Sequence, residues 1–135
     1  MGAWNSDPFG NDTAGDWKYD LEQSDDLSFI EETLQTVIDV KDGYLEAPEA
    51  EAAIAAADTL ARLKGKFYMK DAYTESVDQW VEAHKIPPPK ELIDLAIQAI
   101  DRILSEPSEL LELWQDSEDF ETWTMHIKSL KQRIQ

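Results

Sequence analysis

Residues 48–64, PEAEAAIAAADTLARLK, are dominated by alanine, the residue that loses least on entering a helix. Pro48 suits a first helical turn, where its missing N–H is not needed, and Gly65 supplies the stop. Between them Ile54, Ala57, Leu60, Ala61 and Leu63 make a packing stripe, and the small alanines permit close approach of neighbouring helices. The segments on either side keep the same helical period.

Toward the N-terminus, the loop KDGYLEAP (41–48) follows a helix that ends near Val40 and packs through Ile30, Leu34, Val37 and Ile38. Two starts suit that helix: Ser28 with Glu31 at capping-box spacing, or Asp26 as the cap two residues earlier. An earlier helix, capped by Asn11 or Asp12, runs to about residue 23 with Ala14, Trp17 and Leu21 on one face. Before it, Gly2, Pro8, Gly10 and Asn11 surround Trp4 and Phe9, which predicts an ordered loop anchored by the two aromatics.

Toward the C-terminus, GKFYMKDAY (65–73) reads as a loop, and Thr74 caps a helix with Val77, Trp80 and Val81 inward, ending at Pro87, Pro88 and Pro89. The longest apolar segment comes next, Leu92 to Leu104. Its aliphatic residues cover much of the helix circumference, which predicts the central helix of the fold. Pro107 separates it from a short turn with Leu110, Leu111, Leu113 and Trp114. A final helix begins after Asp116 or Ser117 and shows Phe120, Trp123, Ile127, Leu130 and Ile134 along one side. Trp17, Trp80, Trp114 and Trp123 all fall on these apolar faces and are expected in the core. The expected fold is therefore all-α: a compact single-domain bundle of five to seven helices over residues 1–135, with an ordered aromatic N-terminal loop.

A chain of 135 residues buries about two-thirds of its unfolded surface, so a core forms without disulfides or metal. The absence of cysteine fits a reducing compartment. No apolar run approaches the ~20 residues of a membrane span, and MGAWNSDPFG lacks the basic and apolar regions of a signal peptide, so a cytoplasmic location is expected. With 29 acidic and 12 basic residues the formal charge is -17, which argues against unaided binding to nucleic acid or anionic membrane surfaces. Residues 1–60 hold 15 acids and two bases (-13), and residues 61–135 hold 14 acids and ten bases (-4). The bases gather as Arg62, Lys64, Lys66 and Lys70, and again as Lys128, Lys131 and Arg133. Both groups sit near helix C-termini and meet the negative end of the dipole.

Signatures of chemistry are sparse. Cysteine nucleophiles are excluded, and neither a Gly-x-Ser-x-Gly elbow nor a phosphate-cradling glycine loop is present. His84 and His126 are too far apart in sequence for a helical zinc pair, and the acids of NDTAGDWKYD miss the calcium-loop positions. No cofactor or metal is expected. Acidic groups such as Glu31 with Glu32, or Glu118, Asp119 and Glu121, fall in first helical turns, where they complement the dipole without any chemistry.

Gly2, Ala3, Trp4, Pro8, Phe9, Asn11 and Asp12, followed by a helix with Asp16 and Trp17, resemble a bacterial family catalogued as domain of unknown function 4259. Its members open with Gly-Ala-Trp-Gly, then Phe, Asn and Asp, then a helix bearing an Asp-Trp pair. The run Tyr44 to Pro48 with its alanine-rich helix, the prolines before Leu92, and Leu113 with Trp114 are similar too, so the resemblance covers nearly the whole chain. Asn5 stands where the family usually has glycine, a departure at an expected tight turn. The resemblance implies a small bacterial helical protein and carries over no reaction, ligand or catalytic residue.

Charge, size and missing chemistry favour a non-enzymatic binding protein, of the immunity type that neutralises a basic toxin or nuclease. Its expected partner surface is Asp16, Asp20, Asp25, Asp26, Glu31 and Glu32, acids placed on helix faces away from Trp17 and Ile30. Two alternatives remain open at this level. One is a solvated acidic face without a partner, and the other is a small enzyme or accessory subunit using carboxylates in a pocket near the N-terminal loop.

Overall fold

One helix touches all the others because its side chains are small. The computed structural model describes residues 7–67 and 69–135. Among them are α1 (Asp12–Glu22), α2 (Ser28–Asp39), α3 (Ala47–Leu63), α4 (Glu75–His84), α5 (Lys90–Ile103), α6 (Glu109–Gln115) and α7 (Phe120–Ile134). No strand occurs among the described residues; an isolated parallel bridge joins Leu45 to Ser108. The fold is all-α, as the periodicity predicts. One apolar cluster runs from Phe9 to Ile134.

The alanine-rich α3 is the axis of this arrangement. Thirteen of its 17 residues are buried, and it packs against each of the other six helices. Alanine faces let neighbours approach on all sides without voids, because there is no long side chain to accommodate. The expectation that the Leu92–Leu104 segment would be central is corrected here. α5 buries Leu92, Ala96, Ala99, Ile100 and Ile103 on one face, and Ile93, Leu95 and Ile97 are only partly covered at its margins. Counting large aliphatics overrates a helix whose wide stripe lies on the outside of a bundle, and underrates one enclosed through alanines.

Local signals act mostly where the sequence places them. Asn11 accepts the Ala14 N–H at 2.8 Å as the N-cap of α1. Pro48 lies in the first turn of α3. The capping box at Ser28 does not form. Leu27 occupies the cap position of α2, and Asp26 Oδ1 instead accepts from the Ser28 N–H at 2.9 Å and the Ser28 hydroxyl at 2.7 Å. α4 ends one turn of chain before the prolines, with Lys85 in the left-handed region (φ 35°, ψ 47°). Pro87 disfavours helical geometry at Ile86, so the chain must already have turned out. The "short turn" after Pro107 is α6, which buries Leu110, Leu111 and Trp114.

The four tryptophans expected in the core are all there. Each polar ring edge that is paired also locks two segments together: Trp17 Nε1 donates to Thr33 Oγ1, and Trp80 Nε1 to the Ser24 carbonyl, both at 2.9 Å. Trp114 and Trp123 stack at 5.9 Å between α6 and α7. Of the two aromatics expected to anchor the opening, Phe9 is buried, and Trp4 lies outside the described residues.

If α3 is the axis, enlarging one of its fully buried alanines must force neighbouring helices apart. Ala56→Leu should destabilise the fold by about 1–3 kcal/mol in urea unfolding. An unchanged midpoint would mean that α3 has room around it and is not the packing axis.

Candidate functional site

The strongest electrostatic feature is internal. Arg62, near the end of α3 and only 5% exposed, donates through Nε to Asp58 at 2.8 Å, through one terminal nitrogen to Asp78 of α4 at 2.6 Å, and through the other to the Met69 carbonyl at 2.7 Å. Phe9 lies under the guanidinium, its ring centre 5.9 Å from the central carbon. Asp58, 1% exposed, gives its second oxygen to Arg133 of α7 at 3.2 Å. Thr74 donates to the free oxygen of Asp78 at 2.9 Å and accepts from the Asp71 N–H at 3.0 Å. Burial opposes the charge on Arg62, but the two carboxylates outweigh it and hold its pKa above the ordinary arginine value. Two arginines and two aspartates thus join α3, α4, α7 and the segment between α3 and α4.

The sequence reading gave these bases a helix-dipole role. Their positions near helix ends are as expected, but Arg62 and Arg133 meet carboxylates, and Lys64 donates to the Ile134 carbonyl at 2.8 Å, closing the end of a different helix. The available signal was Asp58 and Arg62 at i,i+4 within an alanine run, where a charged pair has little reason to face solvent.

A cavity of about 10 Å³ lies between Phe9, Gly10, Asp58, Arg62, Met69 and Thr74. That is the lower limit of space for one water molecule. It is where carboxylates lie near the N-terminal loop, and the one deepest in it, Asp58, has both oxygens engaged by arginines. His84 stacks on Trp80 at 4.3 Å and bonds the Trp80 carbonyl through Nδ1 at 2.8 Å, and His126 pairs with Asp7 at 3.5 Å. No group of three or more His, Asp or Glu suited to holding a metal ion occurs among the described residues.

A second buried carboxylate has no ion-pair partner among the described residues. Glu51 of α3 is 8% exposed and accepts the Thr13 hydroxyl at 3.1 Å. Burial pushes its pKa up, and the nearby charges of Asp12 and Glu109 add to that. In the sequence it looks like one more solvated acid. Only its spacing to Ala47, Ile54, Ala55 and Asp58 on one face of α3 marks it as inward.

Asp16, Asp20, Asp25, Asp26, Glu31 and Glu32 are all exposed. By helical position, five of them fall on the flanks of α1 and α2 next to the Trp17–Thr33 contact or in the turn between the two helices. Trp17 stacks on Phe29 at 5.2 Å and bonds Thr33, so this one side chain bridges from α1 to α2. Asp16 and Asp20, one residue before and three after Trp17, flank it on the same side of α1, while Lys18 turns the other way to the Tyr73 carbonyl at 2.9 Å. Asp25 and Asp26 form the intervening turn, and hydrogen bonds from the Ser28 hydroxyl and N–H hold Asp26 below its ordinary pKa. Glu32 adjoins Thr33. Glu31 is two residues beyond Phe29, about 200° around the helix, and stands on the opposite flank of α2.

A feature that the sequence reading missed lies on the outer face of α4. An open groove of about 910 Å³, its exposed lining mostly apolar, runs along Glu75, Gln79, Glu82 and Ala83 beside Ala72. A smaller extension of about 260 Å³ reaches Tyr19 and Glu22 of α1. The charge asymmetry drew attention to the N-terminal half, whereas this groove comes mainly from the other half. Its lining is brought together by the fold from α4 and the segment before it, a juxtaposition that carries no signal in one dimension.

The molecule is thus an acidic helical domain pinned internally by an arginine–aspartate network. Residues 2–126 match the family described as Domain of unknown function (DUF4259), and the chain belongs to that family. No curated protein and no solved structure matches it.

Glu51 gives the site a pH signature. Its folded-state pKa is raised, so its ionised form weakens folding at neutral pH, and the penalty lifts as pH falls through that raised pKa toward the ordinary glutamate value. Glu51→Gln, which keeps an acceptor for Thr13, should therefore be more stable than the parent at pH 7. The advantage should shrink on acidification and vanish below about pH 4. Urea midpoints measured across that range check this, and a difference that is independent of pH would contradict it.

Proposed function

We propose that the protein binds a basic protein partner through the corner formed by α1, the turn after it and the start of α2, in the manner of an immunity protein that neutralises a toxin or nuclease. The carrying observation is that Asp16, Asp20, Asp25, Asp26 and Glu32 are all exposed on α1, the turn after it and the start of α2, with Lys18 of the same helix committed to a backbone carbonyl. Exposed like charges with no neighbouring cation to offset them create a local negative potential that steers a cationic surface into contact. Glu31 belongs to the edge of this surface and not to its centre. A cytoplasmic setting suits the cysteine-free chain.

The partner is sought by pull-down from the native host at low salt, and its association with the Asp20→Asn, Asp25→Asn, Asp26→Asn variant is then measured across ionic strengths. Asn at position 26 retains an acceptor for Ser28, so folding should be unaffected. The expected result is a fall of about tenfold in association rate and a flatter salt dependence. Unchanged rate and salt slope would leave these acids as solubilising residues.

A further inference from the structure

We infer that the groove on the outer face of α4 docks a basic amphipathic helix of the partner protein. This rests on the reading that the partner is basic, but it concerns a different surface from the α1–α2 corner. The groove is open, of about 910 Å³, and its exposed lining is mostly apolar, with Ala72 and Ala83 contributing short side chains. Its acids differ in availability. Asp78 is committed to Arg62 and Thr74, and Asp71 accepts from the Tyr73 and Thr74 N–H groups of its own loop. Lys70 places its ammonium over the Phe67 ring at 4.6 Å. Glu75 and Glu82 remain exposed, the latter paired with exposed Lys85 at 3.4 Å, a contact of little energy that a partner can replace.

Glu75 and Glu82 are seven residues apart on one face of α4, so they stand about 10.5 Å from each other along the helix axis. A helix laid along α4 with Lys or Arg at i and i+7 matches that interval. Apolar residues at i+3 and i+4 then fall between the two cations, over the largely apolar surface of the groove. Tyr19, 66% exposed beside the smaller extension, offers a ring face to a further cation. A second copy of this chain is a poor occupant, because each carries a charge of -17.

The test is an amide-resolved NMR titration of the full chain with three synthetic probes. The first is a helical peptide about five turns long with Lys at i and i+7 and Leu between, the second is hexalysine, and the third is the first peptide with Glu replacing Lys. The Lys/Leu helix should shift the amides of Ala72, Gln79 and Ala83. Its Kd should rise about tenfold in the Glu75→Gln, Glu82→Gln variant and change less than about twofold when Asp20, Asp25 and Asp26 become Asn. Ala83→Arg, which leaves both carboxylates in place, should also weaken it. Shifts confined to the α1–α2 corner would overturn the groove while sparing the proposed function, and silence with both cationic probes would count against both. Equal binding by hexalysine at the groove would overturn recognition of a helix, and equal binding by the Glu peptide would overturn charge complementarity. Self-association through α4 would make the occupant a second copy.

Discussion

A guanidinium removed from water must be surrounded by acceptors or the fold cannot hold it, and Arg62 is surrounded on every side that carries a donor in use. Asp58 lies one turn behind it on the same helix, Asp78 comes from α4, and the Met69 carbonyl comes from the connecting segment. Breaking such a network by removing one member costs about 3–5 kcal/mol, far more than a surface pair, because the remaining charges stay buried. The demand runs outward: Asp78 is in place only if α4 lies against α3, and Arg133 reaches Asp58 only if α7 lies on the other side. Among the described residues of the segment between α3 and α4 there is no helix or strand, yet the segment is tied down by the same charge.

The same economy of cations shapes the exterior. Arg102 donates to the carbonyls of Lys41, Gly43, Ser105 and Pro107, stitching together the loops before α3 and after α5. Lys64 and Lys18 likewise end on carbonyls. Positive groups are used at the joints of the bundle, whereas the acids of α1 and the start of α2 face water. The structural work of the bases and the exposure of the acids are two sides of one arrangement.

Much of the fold is legible in one dimension because periodicity and punctuation are local. The faces of α1, α2, α4 and α7, the Asn11 cap, the Pro48 start and the burial of four tryptophans all depend on residues within a few positions of one another. What was not legible depends on partners far along the chain. α3 outranks α5 as the axis because of what packs around its alanines. Arg62 is a buried pin because Asp78 and the Met69 carbonyl arrive from elsewhere, and Glu51 is buried because Thr13 and α1 cover it. The acids of the proposed surface could be picked from charge alone. Setting Glu31 apart from the other five required knowing which side of α2 meets Trp17.

The central claim is that the Arg62 charge couples α4 to α3, and a double-mutant cycle on Arg62→Ala and Asp78→Ala measures that coupling directly. Unfolding free energies of the parent, the two single variants and the double variant should depart from additivity by roughly 0.5–3 kcal/mol, the double variant being less damaged than the sum of the singles. Additivity to within about 0.5 kcal/mol would contradict the account, because it would mean that the two side chains lie side by side without holding the helices together.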